Sequence, residues 1–270
     1  MKRILLFTAV LILYSVKSIA NTPDKTENEL LGAYSDLQYA KTKQIASKSN
    51  RPEFQLFSAM CDVFDRRAQK LKRGLSELHR LANSPELPER YRSTAKLAYV
   101  RAMHTLAMRK NIYPEAKKVD LIPLYDEVIS LYPETIDGIY AVIYRTQYLI
   151  DQNKTDEALD FAEKFIRSFK GNNQRMLYPI HLLLFNEHIR NKGRYDIAIK
   201  HAERVRELVP ANPKTQYTIH FKIARIYDAY LKDDIRAEKE YVSFLEKHPD
   251  NADAILAKRY LRELRERKAK

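Results

Sequence analysis

The sequence of 270 residues contains one cysteine, no tryptophan and five glycines. With a single thiol, Cys61, the chain can form no internal disulfide, so its stability has to come from packing. So few glycines argue against a turn-rich β protein, because such turns need glycine where φ is positive. Cys61 shares a helical face with Phe54 and Phe57, and we predict that it is a small buried apolar residue rather than a reactive thiol.

The sequence also lacks the short motifs that carry common chemistries. It has no phosphate-binding glycine-rich loop, no GxSxG and no HExxH motif. None of the seven histidines is paired at the i, i+4 spacing with which one helix presents two ligands to a metal ion. We therefore expect no catalytic residues, no cofactor and no metal site, and we interpret the histidines as ordinary helix residues. On this basis the chain is not expected to be an enzyme.

One apolar run comes close to membrane length, and it lies at the start of the chain. The mostly apolar residues 4–16 follow Lys2 and Arg3 and precede Ser18-Ile19-Ala20. This order predicts a signal peptide over residues 1–20, cleaved near Ala20, and export to the periplasm or the exterior. The atypical Lys17 keeps an uncleaved anchor as an alternative, although the run is shorter than the roughly 20 residues of a spanning helix. No later run predicts a transmembrane span.

Positive charge is concentrated near the N-terminus. The formal net charge is +13, and residues 41–118 hold 18 Lys/Arg against 7 Asp/Glu, a net of +11. Such a region binds anionic lipid, cell-wall polymer or an acidic partner, or is plain solvated surface. Export argues against nucleic acid as the partner. The basic patch that we single out comprises Arg66, Arg67, Lys70, Lys72 and Arg73.

Helical periodicity runs along most of the chain. It predicts a first helix from Leu30 to Ile45, a long amphipathic stretch over residues 53–83, a helix over residues 89–109, and then helices of 12 to 18 residues. Residues 21–29 are polar and are predicted to be disordered. No segment predicts a strand, so the fold class is all-α.

A pattern recurs in the second half of the chain. Ala158, Ala198 and Ala237 each lie near the start of an amphipathic helix, and a polar turn precedes each of them. Apolar residues follow at fixed distances: Ala162, Ala202 and Tyr241 four residues on, and Phe165, Val205 and Phe244 seven residues on. A small residue at the first position lets two helices approach closely. The pattern therefore predicts repeated helix pairs.

This pattern resembles the tetratricopeptide repeat (TPR), a helix–turn–helix unit. Gly193-Arg194-Tyr195-Asp196-Ile197-Ala198 matches the turn and second-helix start of the family, and Pro249-Asp250-Asn251-Ala252 matches its closing segment. The period of 37 to 40 residues departs from the family's 34, and the match is good over residues 138–250, fair over 89–134 and poor before that. The resemblance implies a right-handed α-solenoid of stacked antiparallel helix pairs.

The resemblance divides the chain into four parts. A signal peptide covers residues 1–20, and a helical region over residues 21–88 can be aligned as a degenerate repeat. TPR-like repeats occupy residues 89–250, and residues 251–270 form a capping helix with a basic tail. The apolar stripe predicted to pack this cap inward consists of Ile255, Leu256, Tyr260, Leu261 and Leu264.

In the TPR family the first helix of each pair lines a concave, partner-binding surface. Carried onto this chain, the lining positions are Tyr140, Ile143, Gln147, Ile150, Ile180, Leu183, Glu187, Arg190, Thr218, Phe221, Arg225 and Asp228. The resemblance implies a non-enzymatic scaffold or adaptor that binds a protein or peptide, here in cell-envelope assembly or maintenance. Two alternatives stay open: a binder of anionic surfaces that uses residues 41–118, and an enzyme with an unfamiliar helical site.

Overall fold

A computed structural model of the chain describes residues 24–63, 67–107, 119–209 and 213–269. Across these ranges the regular structure is entirely helical, which confirms the all-α class. The α-helices are α1 Lys25–Ser35, α2 Tyr39–Ala46, α3 Pro52–Val63, α4 Ala68–Ala82, α5 Glu89–Ala107, α6 Ile122–Leu131, α7 Ile136–Asp151, α8 Thr155–Ser168, α9 Tyr178–Glu187, α10 Tyr195–Leu208, α11 Pro213–Arg225, α12 Asp234–Lys247 and α13 Ala254–Lys268. No helix in the described ranges has the length and apolar character needed to cross a bilayer. The predicted signal peptide and Ala20 lie outside them.

The disorder predicted for residues 21–29 is wrong from Asp24 onward. Asp24 caps α1 by accepting a hydrogen bond from the amide of Glu27 at 2.8 Å. Glu27 is buried, where it accepts hydrogen bonds from the Tyr91 hydroxyl and from Arg51 Nη2 at 3.1 Å. These partners lie far along the chain, so the polar composition of the segment did not reveal them.

Two long helical stretches predicted from the sequence are each divided in the structure. Leu37, at φ 60°, lies between α1 and α2, where a single helix was expected. The stretch over residues 53–83 contains α3 and α4, which pack against each other. Their contact is close at Gly74, where an added Cβ atom would lie 2.8 Å from the Ala59 carbonyl oxygen. Glycine at this position therefore allows the two backbones to approach.

The described residues form two compact units, one up to Ala158 (unit 1) and one from Leu159 onward (unit 2). In unit 1, consecutive helices pack on each other in the order α3, α4 and α5, and α6 packs on α7. In unit 2, α9 packs on α10, α11 on α12, and α12 on α13. These helices thus pack on helices that are adjacent to them in the sequence, as expected for repeated helix pairs.

The repeat positions predicted from the sequence are confirmed as buried, except Phe165, which is half-buried. Ala198, Ala202 and Val205 of α10 have no exposed surface, and neither have Ala237, Tyr241 and Phe244 of α12. The turns repeat as well: five residues before each of the three alanines stands a residue in the left-handed region, namely Asn153 (φ 61°), Gly193 (φ 58°) and Lys232 (φ 54°). Sequence positions and backbone conformation therefore recur together.

The C-terminal helix α13 packs on α12 through a stripe that differs from the predicted one. Ala254, Ala257, Leu261 and Leu264 are buried in the core of unit 2, whereas Ile255 is 78% exposed. The expectation for Ile255 is wrong, because the two alanines supply the inward positions of the first turn. Among the basic residues of α13, Arg265 and Lys268 both donate hydrogen bonds to Glu238 of α12 at 2.7 Å. These bonds also hold α13 against α12.

Cys61 lies on α3 in the core of unit 1, as predicted. Its side chain is 4% exposed, in the same core cluster as Phe54 and Phe57. Burial raises the pKa of the Cys61 thiol to about 12, because the thiolate would lose its hydration. The thiol is therefore protonated and unreactive in the folded protein.

Candidate functional site

The predicted binding residues of unit 1 lie on α7 and are half-buried. Gln147 donates from Nε2 to Asp151 Oδ1 at 3.0 Å, and the Tyr140 ring lies 6.0 Å from that of Tyr144. The guanidinium of Arg101 stacks on Tyr144 at 3.6 Å. The aromatic and polar character expected of this face is present, with its polar groups partnered inside unit 1.

In unit 2, the predicted residue Glu187 is buried and holds Arg190 in place. Glu187 accepts a hydrogen bond from Arg190 Nη1 at 2.8 Å and another from the Asn191 side chain. The Arg190 side chain is 70% exposed, so its charge faces solvent while its orientation is fixed from inside. Asn186, the residue before Glu187, accepts a hydrogen bond from Lys222 Nζ at 2.8 Å, which links α9 to α11.

The predicted residues of α11 and its π-helical extension Ile226–Leu231 contact α12 and α13. The Phe221 ring packs 5.5 Å from that of Phe244 and 6.4 Å from that of Tyr260. Asp228 is buried and accepts hydrogen bonds from Tyr241 Oη at 3.0 Å and Arg267 Nη2 at 2.9 Å. Like Glu187, Asp228 is an internal acid that fixes cations from neighbouring elements.

Tyr260 is a site residue that the sequence reasoning missed. Its ring lies beside two guanidinium groups, with Arg225 at 4.0 Å and Arg259 at 5.1 Å. Such cation–π contacts orient an arginine side chain against the ring. Together with Arg190 and Lys222, these three residues form what we call the arginine–tyrosine strip of unit 2. The cap assignment of α13 had placed Tyr260 in an inward-facing stripe, so no signal pointed to a surface role.

The basic patch predicted near residue 70 lies on and just before α4. Arg67, Lys72 and Arg73 are exposed and Lys70 is half-buried, whereas Arg66 lies outside the described residues. Arg73 donates from Nη2 to Asp62 at 2.6 Å, and Lys43 also bonds this buried acid. Part of the positive charge of the region therefore neutralises an internal carboxylate.

An open pocket of about 370 Å³ in unit 1 is lined by the end of α4, by α5 and by the end of α6. Its wall includes Asn83, Glu89, Arg92, Lys96 and Tyr132. Arg92 Nε is buried and has no hydrogen-bond partner, which is uncommon for an atom of a charged group. Lys96 Nζ is held by Glu127 Oε1 at 2.5 Å.

A buried polar cluster in unit 1 centres on His104. His104 Nδ1 lies 3.0 Å from Tyr125 Oη, and Nε2 lies 3.4 Å from Asp151 Oδ2. The ring meets Tyr148 edge to face at 5.0 Å. Burial, reinforced by the nearby charge of Arg101, holds the pKa of His104 below its usual value. His104 is therefore neutral near pH 7 and serves the packing of the core.

Unit 2 brings together three histidines that are scattered in the sequence. His181 Nδ1 lies 2.9 Å from His201 Nδ1, and the His188 and His201 rings are nearly parallel with centroids 5.6 Å apart. His188 Nε2 lies 3.3 Å from Oε1 of Glu163 on α8. Burial lowers the pKa of His181 to about 4 and that of His201 to about 3. The sequence signal was weak: only His181 and His188, seven residues apart, share a helical face.

In comparisons with known proteins, no family model matches the chain and no curated protein is significantly similar to it. The function is therefore inferred from the geometry of the two units.

Proposed function

We propose that the chain is a non-enzymatic protein-binding module, built from TPR-like helix pairs that stack into a right-handed solenoid. The recurrence of buried alanines with a left-handed residue five positions earlier supports this reading. Pairs of this kind cannot bury their apolar faces alone, so stacking is their stable state. The first helices of such a stack present a continuous surface to a partner.

The partner that this surface suits is a peptide segment rich in Asp and Glu. The observation that carries this proposal is that two guanidinium groups meet the Tyr260 ring, Arg225 at 4.0 Å and Arg259 at 5.1 Å. Guanidinium groups bind carboxylates through two parallel hydrogen bonds, and an aromatic ring provides an apolar contact beside them. Arg190 and Lys222 extend the positive charge from α11 toward α9.

The internal acids of this surface support the same reading. Glu187 orients Arg190, and Asp228 lies 3.3 Å from Arg225 through its Oδ2 atom. Fixing a long side chain before binding reduces the conformational entropy lost when the partner arrives. The strip is thus ordered in advance to meet negative charge.

A binding measurement with matched charge reversals tests the proposal. We would titrate the chain with a soluble peptide of alternating acidic and apolar residues, and with the same peptide carrying Gln and Asn instead. The acidic peptide should bind, and Arg259→Glu should weaken binding at least about tenfold by losing a carboxylate contact. Arg262→Glu is the control, because Arg262 is exposed on the same helix and carries the same charge.

Two results would overturn the proposal. One is equal binding of the acidic and the amide peptide. The other is an equal loss in Arg259→Glu and Arg262→Glu, which would mean that net charge alone governs association. Binding that weakens with added salt is expected in either case, since ions screen exposed charges over about 8 Å at physiological ionic strength.

We further propose that the module acts outside the cytoplasm, as a scaffold or adaptor in cell-envelope assembly or maintenance. The sequence of residues 1–20 supports export. N-terminal sequencing of the protein recovered from the producing cell tests this step. A mature chain that begins after Ala20 supports it, and one that still begins at Met1 supports a membrane anchor.

A second candidate function is binding of an anionic lipid or polymer through the basic region of unit 1. The pocket lined by Arg92 and Lys96 favours it, because cationic side chains bind anionic oxygens. Sedimentation with anionic vesicles tests it. Arg92→Gln should reduce binding there, whereas binding that only follows the exposed basic patch would place the contact on α4.

A further inference from the structure

We propose that unit 2 binds a divalent transition-metal ion of the zinc class, held by Glu163, His188 and His201. One ligand atom from each of these residues can be chosen so that all three lie within 4.8 Å of one another. The three side chains come from α8, from the π-helical turn His188–Lys192 that follows α9, and from α10. Two imidazoles and one carboxylate are a ligand set that zinc accepts, with water in the remaining position.

The distances are those of a site that is nearly assembled. Zinc bonds of about 2.0–2.1 Å at tetrahedral angles place neighbouring ligand atoms about 3.3–3.4 Å apart. His188 Nε2 and Glu163 Oε1 are already separated by 3.3 Å. The third ligand atom, on His201, lies within 4.8 Å of the other two.

A further observation supports a ligand at this position. The His188 nitrogen that faces Glu163 is Nε2, so the buried Nδ1 atom, which has no hydrogen-bond partner among the described residues, is not the ligand atom. His201 is held by His181, whose Nδ1 atom lies 2.9 Å from its own. Metal-binding histidines are commonly oriented in this way through their second ring nitrogen. His181 is therefore a positioning residue for the site.

A second buried histidine–carboxylate pair in the same unit shows what a completed pair looks like. His220 Nδ1 lies 3.1 Å from Glu240 Oε2, and Arg206 Nη1 lies 3.2 Å from Glu240 Oε1. A guanidinium therefore already serves this buried acid. Glu163 accepts a hydrogen bond from the exposed side chain of Arg167 through its other oxygen, at 3.3 Å, and its Oε1 atom faces the histidine cluster. The guanidinium that contacts the first pair is therefore exposed, whereas the one that contacts the second is mostly covered.

This proposal departs from the expectation of no metal site, which rested on histidine spacing within single helices. The ligands come from three separate helical elements, and no short motif joins them. An ion at this position would tie α8 to the pair formed by α9 and α10. It is independent of the proposed peptide binding, which uses a different set of residues.

The test uses the full chain without a histidine tag, because a tag would bind the probe. Zn²⁺ is titrated against a chromogenic chelator to obtain stoichiometry and affinity, and Co²⁺ replaces it to give the visible absorption of a tetrahedral site. One ion per chain is expected. Glu163→Gln and His201→Gln should each weaken binding at least about tenfold, and His181→Phe should weaken it about 10- to 100-fold as a second-layer partner.

His220→Gln is the matched control, since it removes a buried histidine from a carboxylate pair in the same unit. It should leave the affinity and the Co²⁺ spectrum unchanged. Zn²⁺ should also raise the thermal midpoint of the unaltered protein, as any ligand of the folded state does, but not that of Glu163→Gln. Glu163 is half-buried, so this variant is expected to fold, which its circular dichroism verifies.

The proposal is overturned if the unaltered chain binds no Zn²⁺ at stoichiometric concentration. It is equally overturned if folded Glu163→Gln and His201→Gln retain full affinity, because the ion would then sit on other histidines. Loss of Zn²⁺ binding in His220→Gln would place the ion at His220 and Glu240 instead, and would also contradict the proposal.

Discussion

Unit 1 and unit 2 differ in how far their packing repeats. In unit 1, Asp62 meets Lys43 and Arg73, and Asp137 accepts hydrogen bonds from Ser93 and Thr94. Each of these contacts occurs once and joins residues distant in the chain. Unit 2 also has single contacts of this kind, as at Asp228, but it repeats one packing arrangement at α10 and α12 as well.

Single contacts and repeated packing tolerate different kinds of substitution. A repeated arrangement has several equivalent positions, so a change at one of them can be predicted from the others. A polar contact that occurs once depends on both partners, and loss of either leaves a buried group without hydrogen bonds. Four predictions test this contrast, and the largest expected effect comes first.

Ala198→Trp should destabilise the protein most, by about 3 kcal/mol, because Ala198 has no exposed surface and the larger ring overpacks the contact of α9 with α10. Chemical denaturation measures the change. Ile197→Trp is the control, since Ile197 is the adjacent residue and is 36% exposed. Similar losses in the two variants would contradict the assignment of Ala198 as the close-packing position.

Asp137→Ala should cost about 2 kcal/mol in unit 1, because the Ser93 and Thr94 hydroxyls would each lose a buried hydrogen bond. Their present distances to Asp137 Oδ2 are 2.6 Å and 3.0 Å. Asp137→Asn keeps an oxygen acceptor and should cost less. An equal cost in both variants would show that the charge, rather than the hydrogen bonds, matters.

Acid should weaken unit 1 through His104, by about 1–2 kcal/mol between pH 7 and pH 5. Burial lowers the pKa of His104 in the folded state below the roughly 6.5 of the unfolded chain. The unfolded chain therefore binds the proton first, so this contribution is intact above about pH 6.5 and is lost as the pH falls. His104→Gln should show a smaller difference in unfolding free energy between the two pH values. The same pH dependence in both proteins would contradict the role of His104.

The smallest effect is a gain in stability at the last repeated turn. Lys232 adopts φ 54°, and a left-handed conformation costs a residue with a Cβ atom about 1 kcal/mol. Lys232→Gly should therefore stabilise the protein by up to about 1 kcal/mol. Lys239→Gly, inside α12, should destabilise it by about the same amount. Loss of stability in Lys232→Gly would mean that the turn depends on the lysine side chain.

The fold class and the repeated positions of unit 2 could be predicted from the sequence because they depend on periodicity. The spacing of Ala158, Ala198 and Ala237 identified buried positions and even the turns before them. Helix limits before residue 89 were predicted less well. The breaks between α1 and α2 and between α3 and α4 carry no glycine or proline signal at the point where the chain turns.

The candidate site could be predicted only in part. The positions carried over from the TPR family include Arg190, Phe221 and Arg225. Arg190 lies on the turn after α9, and the other two lie on α11. These positions did not lead to Tyr260, because a helix-face argument assigns a tyrosine to the core unless its neighbours in space are known. The histidine cluster was missed for the same reason: its members become neighbours only through the packing of helices.

Chemical modification of the buried Cys61 thiol can report local opening of unit 1. A thiol reagent can modify the chain only when α3 leaves the core of unit 1, because the folded thiol is 4% exposed and protonated. No second cysteine in the chain competes for the reagent. The rate of labelling therefore times the opening of unit 1 alone, and unit 2 contributes nothing to the signal. Adding Zn²⁺ or an acidic peptide during such a time course would show directly whether a ligand bound in unit 2 slows the opening of unit 1.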